Sequence, residues 1–214
     1  MSNKKQNTES LIASLSDNFS GIKVMPHPIR HLALWSVLAV SYTLLIIIFL
    51  KIRPDLSDKL ENPNYIFELL QILAISISAA FCSSWLCVPD MRGQKWMLVV
   101  PITLFVAFSL QIILRTTMET HDLPHIYFHH CSMKSIIFGV IPAIALFLMS
   151  TRGKTTHPIS MSLMNALAIG GMGYLGLRII CMSDNIGHLY GYHLLPYILF
   201  GIIISLVGRR IYRW

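Results

Sequence analysis

A polytopic bundle of six transmembrane α-helices, with both termini cytoplasmic, is the fold class the sequence predicts, and three observations predict it. AVILMFWYC make up 54% of the 214 residues and DEKR only 13%, whereas soluble domains average about 45–50% and about 25%. The apolar residues fall in six continuous runs, each of a length suited to a bilayer core of about 30 Å. Lys and Arg are shared out unevenly between the segments that join the runs. The charge deficit, with a mean hydropathy of +0.61, excludes a soluble globular enzyme. Continuous rather than alternating runs argue against strands, because lipid-exposed backbone must satisfy its own hydrogen bonds.

The elements follow in order. Residues 1–31 form a polar cytoplasmic tail without an apolar core of signal-peptide length. Within it Thr8-Glu9-Ser10 can cap a short helix in which Leu11, Leu15 and Phe19 recur every four residues. This apolar stripe suits either the inner leaflet or the groove of a soluble partner. The transmembrane domain occupies 32–208, with spans expected at 32–50, 66–88, 96–114, 135–149, 161–182 and 191–208. Pro142 and Pro196 are expected to kink the fourth and sixth spans. Gly170, Gly171, Gly173 and Gly176 form a small-residue stripe suited to close helix packing. Residues 209–214 form a basic cytoplasmic C-terminus.

The net charge of +7 resolves by loop. The two tails and the second and fourth loops hold eleven Lys and Arg, among them Arg92, Lys95, Arg152 and Lys154. The other loops hold five, and Arg178 within the fifth span completes the seventeen. Under the positive-inside rule the richer side is cytoplasmic. The basic excess therefore reports orientation, and direct nucleic-acid binding is not expected.

The opposite side is chemically distinct. His121, His125, His129, His130, His188 and His193 fall there, with Cys131, Cys181, Met118, Met133, Met182, Asp122 and Asp184. Thiolate, imidazole and thioether together suit Cu(I), Zn or a related thiophilic ion. His125 and His129 share a helical i, i+4 spacing, and Cys181, His188 and His193 can converge with Cys131 if the spans bundle. A reversible Cys131–Cys181 disulfide is an alternative use of the same thiols, and packing near a membrane interface is another. Arg178 lies one turn before Cys181, where it can favour the thiolate; snorkelling to the headgroups is the slightly better reading of it. Cys82 and Cys87, in the other half of the second span, read as small buried hydrophobes.

Several short motifs carry a wider resemblance. They are Leu11-Ile12-x-x-Leu15, Arg53-Pro54-Asp55-Leu56, Phe67-Glu68-Leu69, Val88-Pro89-Asp90 and Gly208-Arg209-Arg210-x-x-Arg213-Trp214. In order and spacing they resemble the NrsF-type negative regulators of sigma-F, six-helix membrane-bound anti-sigma factors of the bacterial inner membrane. The resemblance implies an extracytoplasmic-function sigma factor as partner, held at the cytoplasmic face, and a response to heavy metal or oxidant through Cys131 and Cys181. It implies no enzyme activity. The expected sensing set is Cys131, Cys181, His188 and His193, with His125 and His129 nearby and Zn or Cu as ligand. The expected partner surface is Leu11, Leu15 and Phe19 with Arg92 and Lys95. A membrane thiol oxidoreductase that reduces quinone and a metal transporter are the rival classes.

Overall fold

The computed structural model describes residues 8–17, 27–88, 95–118, 130–153 and 155–212. Its elements are α1 (Thr8–Asp17), α2 (Pro28–Leu50), α3 (Leu56–Leu60), α4 (Pro63–Leu86), a 3-10 turn (Lys95–Leu98) running into α5 (Val99–Met118), α6 (His130–Arg152), α7 (Pro158–Ile180), α8 (Ile186–His188), a π-helical segment (Leu189–Leu194) and α9 (Leu195–Ile211). No strand occurs among the described residues. Six of the helices are long and apolar enough to cross a membrane, as the sequence predicts.

The helices begin earlier than the apolar runs. α2, α4 and α7 each start on a proline, Pro28, Pro63 and Pro158, where the missing N–H costs nothing and the fixed φ suits a first turn. His27 Nδ1 and Asn62 Oδ1 accept backbone N–H groups at two of these starts, at 3.3 and 3.0 Å. The fourth span is also longer than the expected 135–149. His130, Cys131 and Lys134 wind onto α6, and this places Cys131 in a helix.

α7 forms the axis of the bundle, packed by α2, α4, α6 and α9, while α5 lies outside α4. α7 is the most buried of the six long apolar helices and α5 the least. The glycine stripe allows this packing. A Cβ on Gly171 would lie 2.9 Å from Ser76 Cβ and 3.2 Å from the Ile72 carbonyl of α4. Ser76 Oγ uses the closeness to donate to the Ala168 carbonyl at 2.7 Å.

Prolines free carbonyls inside the bundle, and neighbouring side chains take them up. Pro101 lacks the N–H that would serve Met97, and Cys82 Sγ contacts the Met97 carbonyl at 3.1 Å. Cys82 is thus buried but also a donor, a role beyond that of a small hydrophobe. At the same end of the molecule Asn165 Nδ2 donates to Ser150 Oγ at 3.2 Å and to the Tyr212 hydroxyl at 3.3 Å, and Ser83 bonds its carbonyl oxygen. That network ties α4, α6 and α7 to the end of α9.

Gly171→Ala meets a Cβ and a backbone oxygen, neither of which can swing away. It should destabilise the bundle by about 1–3 kcal/mol, read as a lower thermal midpoint in detergent or nanodiscs.

Candidate functional site

Two polar groups of residues sit side by side at the end of the bundle opposite Asn165. The first is ionic. Glu68 enters the interior from α4, and Tyr174 of α7 donates its hydroxyl to Glu68 Oε1 at 2.7 Å. One turn further along α7, the Arg178 guanidinium lies 2.8 Å from Glu68 Oε1, and its Nη1 donates to Asp184 Oδ1 at 2.8 Å. Arg115 of α5 reaches Glu68 Oε2 at 3.2 Å. Tyr65 covers the other side of Arg178, its ring centroid 4.8 Å from the guanidinium carbon.

The group extends through the loop after α2. Lys51 has a φ of 66°, a left-handed turn that redirects the chain so that Arg53 N donates to the Ile179 carbonyl at 3.1 Å. The Arg53 side chain is buried, yet every face of it is paired. It forks onto Asp55 at 2.7 Å through both Nε and Nη2, and onto Asp184 at 3.1 and 3.0 Å. Lys59 Nζ closes on Asp184 at 2.8 Å. Burial works against the Asp184 carboxylate, but hydrogen bonds from Arg53, Lys59 and Arg178 outweigh it and hold the carboxyl below its ordinary range. Arg53 is held above its ordinary value, chiefly by the hydrogen bond to Asp55.

Arg178 therefore corrects the sequence reading. It is 2% exposed and faces Glu68 and Asp184, so it does not snorkel to the headgroups. An unpaired guanidinium at this depth is expensive, and the carboxylates of α4 and the α7–α8 loop compensate it.

The second group is the dithiol–imidazole cluster. Cys131 comes from the first turn of α6, Cys181 caps the C-terminus of α7, His188 ends α8 and His193 lies in the π-helical segment. Cys131 Sγ and Cys181 Sγ are 3.7 Å apart, and Cys181 Sγ is 3.4 Å from His188 Nε2. One donor atom from each of the four residues falls within 4.8 Å of all the others. Asn185 places His188 by accepting its backbone N–H at 3.3 Å.

The π-helical segment is what brings the two histidines together. In an α-helix, residues five apart point about 140° away from each other at 3.6 residues per turn. The i→i+5 pattern of a π turn returns them to one face, and the rings of His188 and His193 lie 5.2 Å apart. Pro196 explains the local widening. It cannot donate to the Tyr192 carbonyl and its ring crowds that turn; Ser135 Oγ of α6 takes the freed oxygen at 2.6 Å. The expected kink at Pro196 is thus a π turn ending at the first residues of α9.

The Cys181 thiol is held well below its ordinary range. The hydrogen bond with Cys131 is the main cause, burial opposes it, and the imidazoles of His188 and His193 add to the lowering. His193, fully buried, stands within the cluster beside the Cys181 thiol. Two sulfurs and two imidazoles are a donor set that fits a thiophilic ion. Tetrahedral zinc bonded at 2.0–2.3 Å needs donors about 3.5 Å apart; two contacts already match, and none of the others exceeds 4.8 Å.

The structure thus brings together Cys131, Cys181, His188 and His193. His121, His125, His129, Phe19 and Arg92 lie outside the described residues. Leu11 and Leu15 are on α1, 47% and 62% exposed, and Lys95 opens the 3-10 turn before α5. Cys87 packs at the opposite end, where burial pushes its thiol up to about 12. Missed from the sequence were Arg53, Asp184 and Glu68 as one unit. The available signal was Asp184 three residues after Cys181, facing a loop that carries Arg53 and Lys59.

Fold and site together define a polytopic membrane protein whose buried chemistry is a dithiol–imidazole cluster beside an ion network. The family described as negative regulator of sigma F, NrsF, matches residues 15–214, and the chain belongs to that family. No curated protein and no solved structure matches it. Its role is accordingly regulatory rather than catalytic, and its partner is a sigma factor.

Removing one member of a buried ion pair leaves the other charge uncompensated. Glu68→Gln should cost about 3–5 kcal/mol, and Glu68→Leu combined with Arg178→Met should recover much of it, as read by unfolding in mixed micelles. Asp184 has a lowered native value, so its stabilisation is complete above about pH 4 and is lost as the pH falls through that native value. Asp184→Asn should be less stable at pH 7 and show a smaller decline on acidification.

Proposed function

We propose that this protein holds an extracytoplasmic-function sigma factor at the cytoplasmic face of the bacterial inner membrane. A thiophilic metal such as Zn or Cu, or an oxidant, acting at Cys131 and Cys181 on the periplasmic side, releases it. The observation that carries this reading is the convergence of Cys131, Cys181, His188 and His193, from α6, α7, α8 and the π turn. A ligand that draws the four donors together must move α6 relative to α7. α7 also carries Asn165 at the far end, so the movement has a rigid element along which to act.

Release requires that the ligand favour one state over the other. A shift from 1:99 to 99:1 needs about 5.5 kcal/mol of differential affinity, which a set of thiolate–metal bonds can supply and a single exposed histidine cannot. The partner surface is assigned to Leu11 and Leu15 on α1, with Phe19, Arg92 and Lys95 as further members. The exposed apolar side chains of α1 support that assignment, since an amphipathic helix can be taken into a groove.

Cys131→Ser and Cys181→Ser should each abolish induction of the sigma regulon by metal while repression persists. Undiminished induction in both variants overturns the sensing role. Deleting residues 1–25 should free the sigma factor constitutively in a co-purification assay; full retention moves the clamp to the loops that contain Arg92 and Lys95.

A further inference from the structure

Ser135 of α6 is fully buried, and its hydroxyl stands between two elements that carry cluster residues. It donates to the Tyr192 carbonyl of the π-helical segment at 2.6 Å and lies 3.1 Å from the Cys131 carbonyl, one turn back on its own helix. The contact is returned from α9, where the Tyr197 hydroxyl donates to the Ser135 carbonyl at 2.7 Å. Three glycines make room for that tyrosine. A Cβ on Gly139 would lie 3.0 Å from Tyr197 Cε1, one on Gly170 would lie 3.1 Å from Tyr197 Cβ, and one on Gly173 would overlap the Tyr197 hydroxyl. α6, which carries Cys131, is thus clamped by two reciprocal hydrogen bonds to the chain that runs from His193 into α9.

We infer that Ser135 is the specificity-determining residue of the cluster: by pinning the π turn to α6 it keeps His193 beside the thiols, so that the site takes a four-coordinate divalent ion such as Zn(II) in preference to monovalent Cu(I). This assignment rests on the metal-binding role proposed for Cys131 and Cys181, and it decides between the two ions named there.

Donor number makes the distinction. With His193 in place the set is two sulfurs and two imidazole nitrogens, all within 4.8 Å of one another, a composition that tetrahedral zinc accepts. Without His193, two thiols and His188 remain, and Cu(I), a soft ion, is held by the thiolates alone. Ser135 is not one of the four donors. It acts through the Tyr192 carbonyl, the acceptor that Pro196 leaves without an N–H. Deleting the hydroxyl leaves that carbonyl unpaired, which is costly, and the turn regains a partner only by drawing away from α6 and taking His193 with it. Pro196→Ala reaches a similar state by another route. The restored N–H can serve the Tyr192 carbonyl in an α turn, in which residues 188 and 193 point about 140° apart.

The test uses the full chain in nanodiscs, reduced and free of oxygen, with Co(II) as spectroscopic probe for zinc and Cu(I) supplied from a coloured chelator complex. In the wild-type chain Co(II) should give the intense visible bands of a four-coordinate thiolate site. Ser135→Ala and Pro196→Ala should each lose those bands and weaken Co(II) binding at least about tenfold, as replacing residues that orient metal ligands does. His193→Ala should do the same. Cu(I) affinity should stay within about threefold of wild type in all three variants. Ser76→Ala removes an equally buried hydroxyl-to-carbonyl bond between α4 and α7 and should change the binding of neither ion.

Unchanged Co(II) binding by Ser135→Ala overturns the inference. A parallel loss of both ions also overturns it, since that marks Ser135 as structural, and so does an equal loss of Co(II) from Ser76→Ala. If the wild-type chain binds Cu(I) but not Co(II), the role of Ser135 fails and metal sensing stands. If it binds neither ion, metal sensing fails and the role of Ser135 fails with it.

Discussion

The arrangement at the cysteine end depends on the pairing of Arg178 with Glu68 and Asp184. A guanidinium buried among transmembrane helices is tolerated only with counter-charges in contact, because the desolvation of one ion exceeds what any single apolar contact returns. Meeting that constraint recruits much of the neighbouring structure. Glu68 must come from α4, Asp184 from the loop after α7, and Arg53 and Lys59 from the segment that follows α2. The ion network therefore fixes where the last turn of α7 points, and with it the direction of Cys181.

The dithiol–imidazole cluster is built on this support. Cys181 lies between Arg178 and Asp184 in sequence, so its backbone is held on both sides by ion contacts while its sulfur faces Cys131 and His188. Tyr174 connects the two groups physically. Its hydroxyl bonds Glu68 and its ring meets His193 edge-on at 6.0 Å. Arg178 of the first group and Cys181 of the second thus sit within one turn of each other at the end of α7. At the far end of α7, Asn165 joins Ser150, Ser83 and Tyr212, so one helix carries a polar network at each end.

The apolar runs made the six spans legible, because lipid imposes a length and a continuity that composition alone reveals. Their ends were less so: Pro28, Pro63 and Pro158 look like breakers in a hydropathy reading, yet a first-turn proline begins a helix. The four cluster residues were legible as chemistry, since Cys, His and Met crowd one side of the chain. Arg178 was misread for a physical reason. Its partners lie 110 residues before it and six after it, and no periodicity within one helix reports a pairing between helices. Arg53 was hidden in the same way, since a basic residue in a loop reads as solvated until its counter-ions are located.

The spacing of His188 and His193 shows how far a local rule can mislead about a site. Five residues apart, they belong to different faces of any α-helix, and only the π turn before Pro196 aligns them. The alignment has a chain of causes: Pro196 removes a donor, the Ser135 hydroxyl of α6 donates to the Tyr192 carbonyl in its place, and α6 is also the helix that carries Cys131. The contact that permits the π turn is therefore made one turn away from one of the two thiols. The α register would separate the two rings by about 140°, so the π register is what allows both imidazoles to face the same thiols.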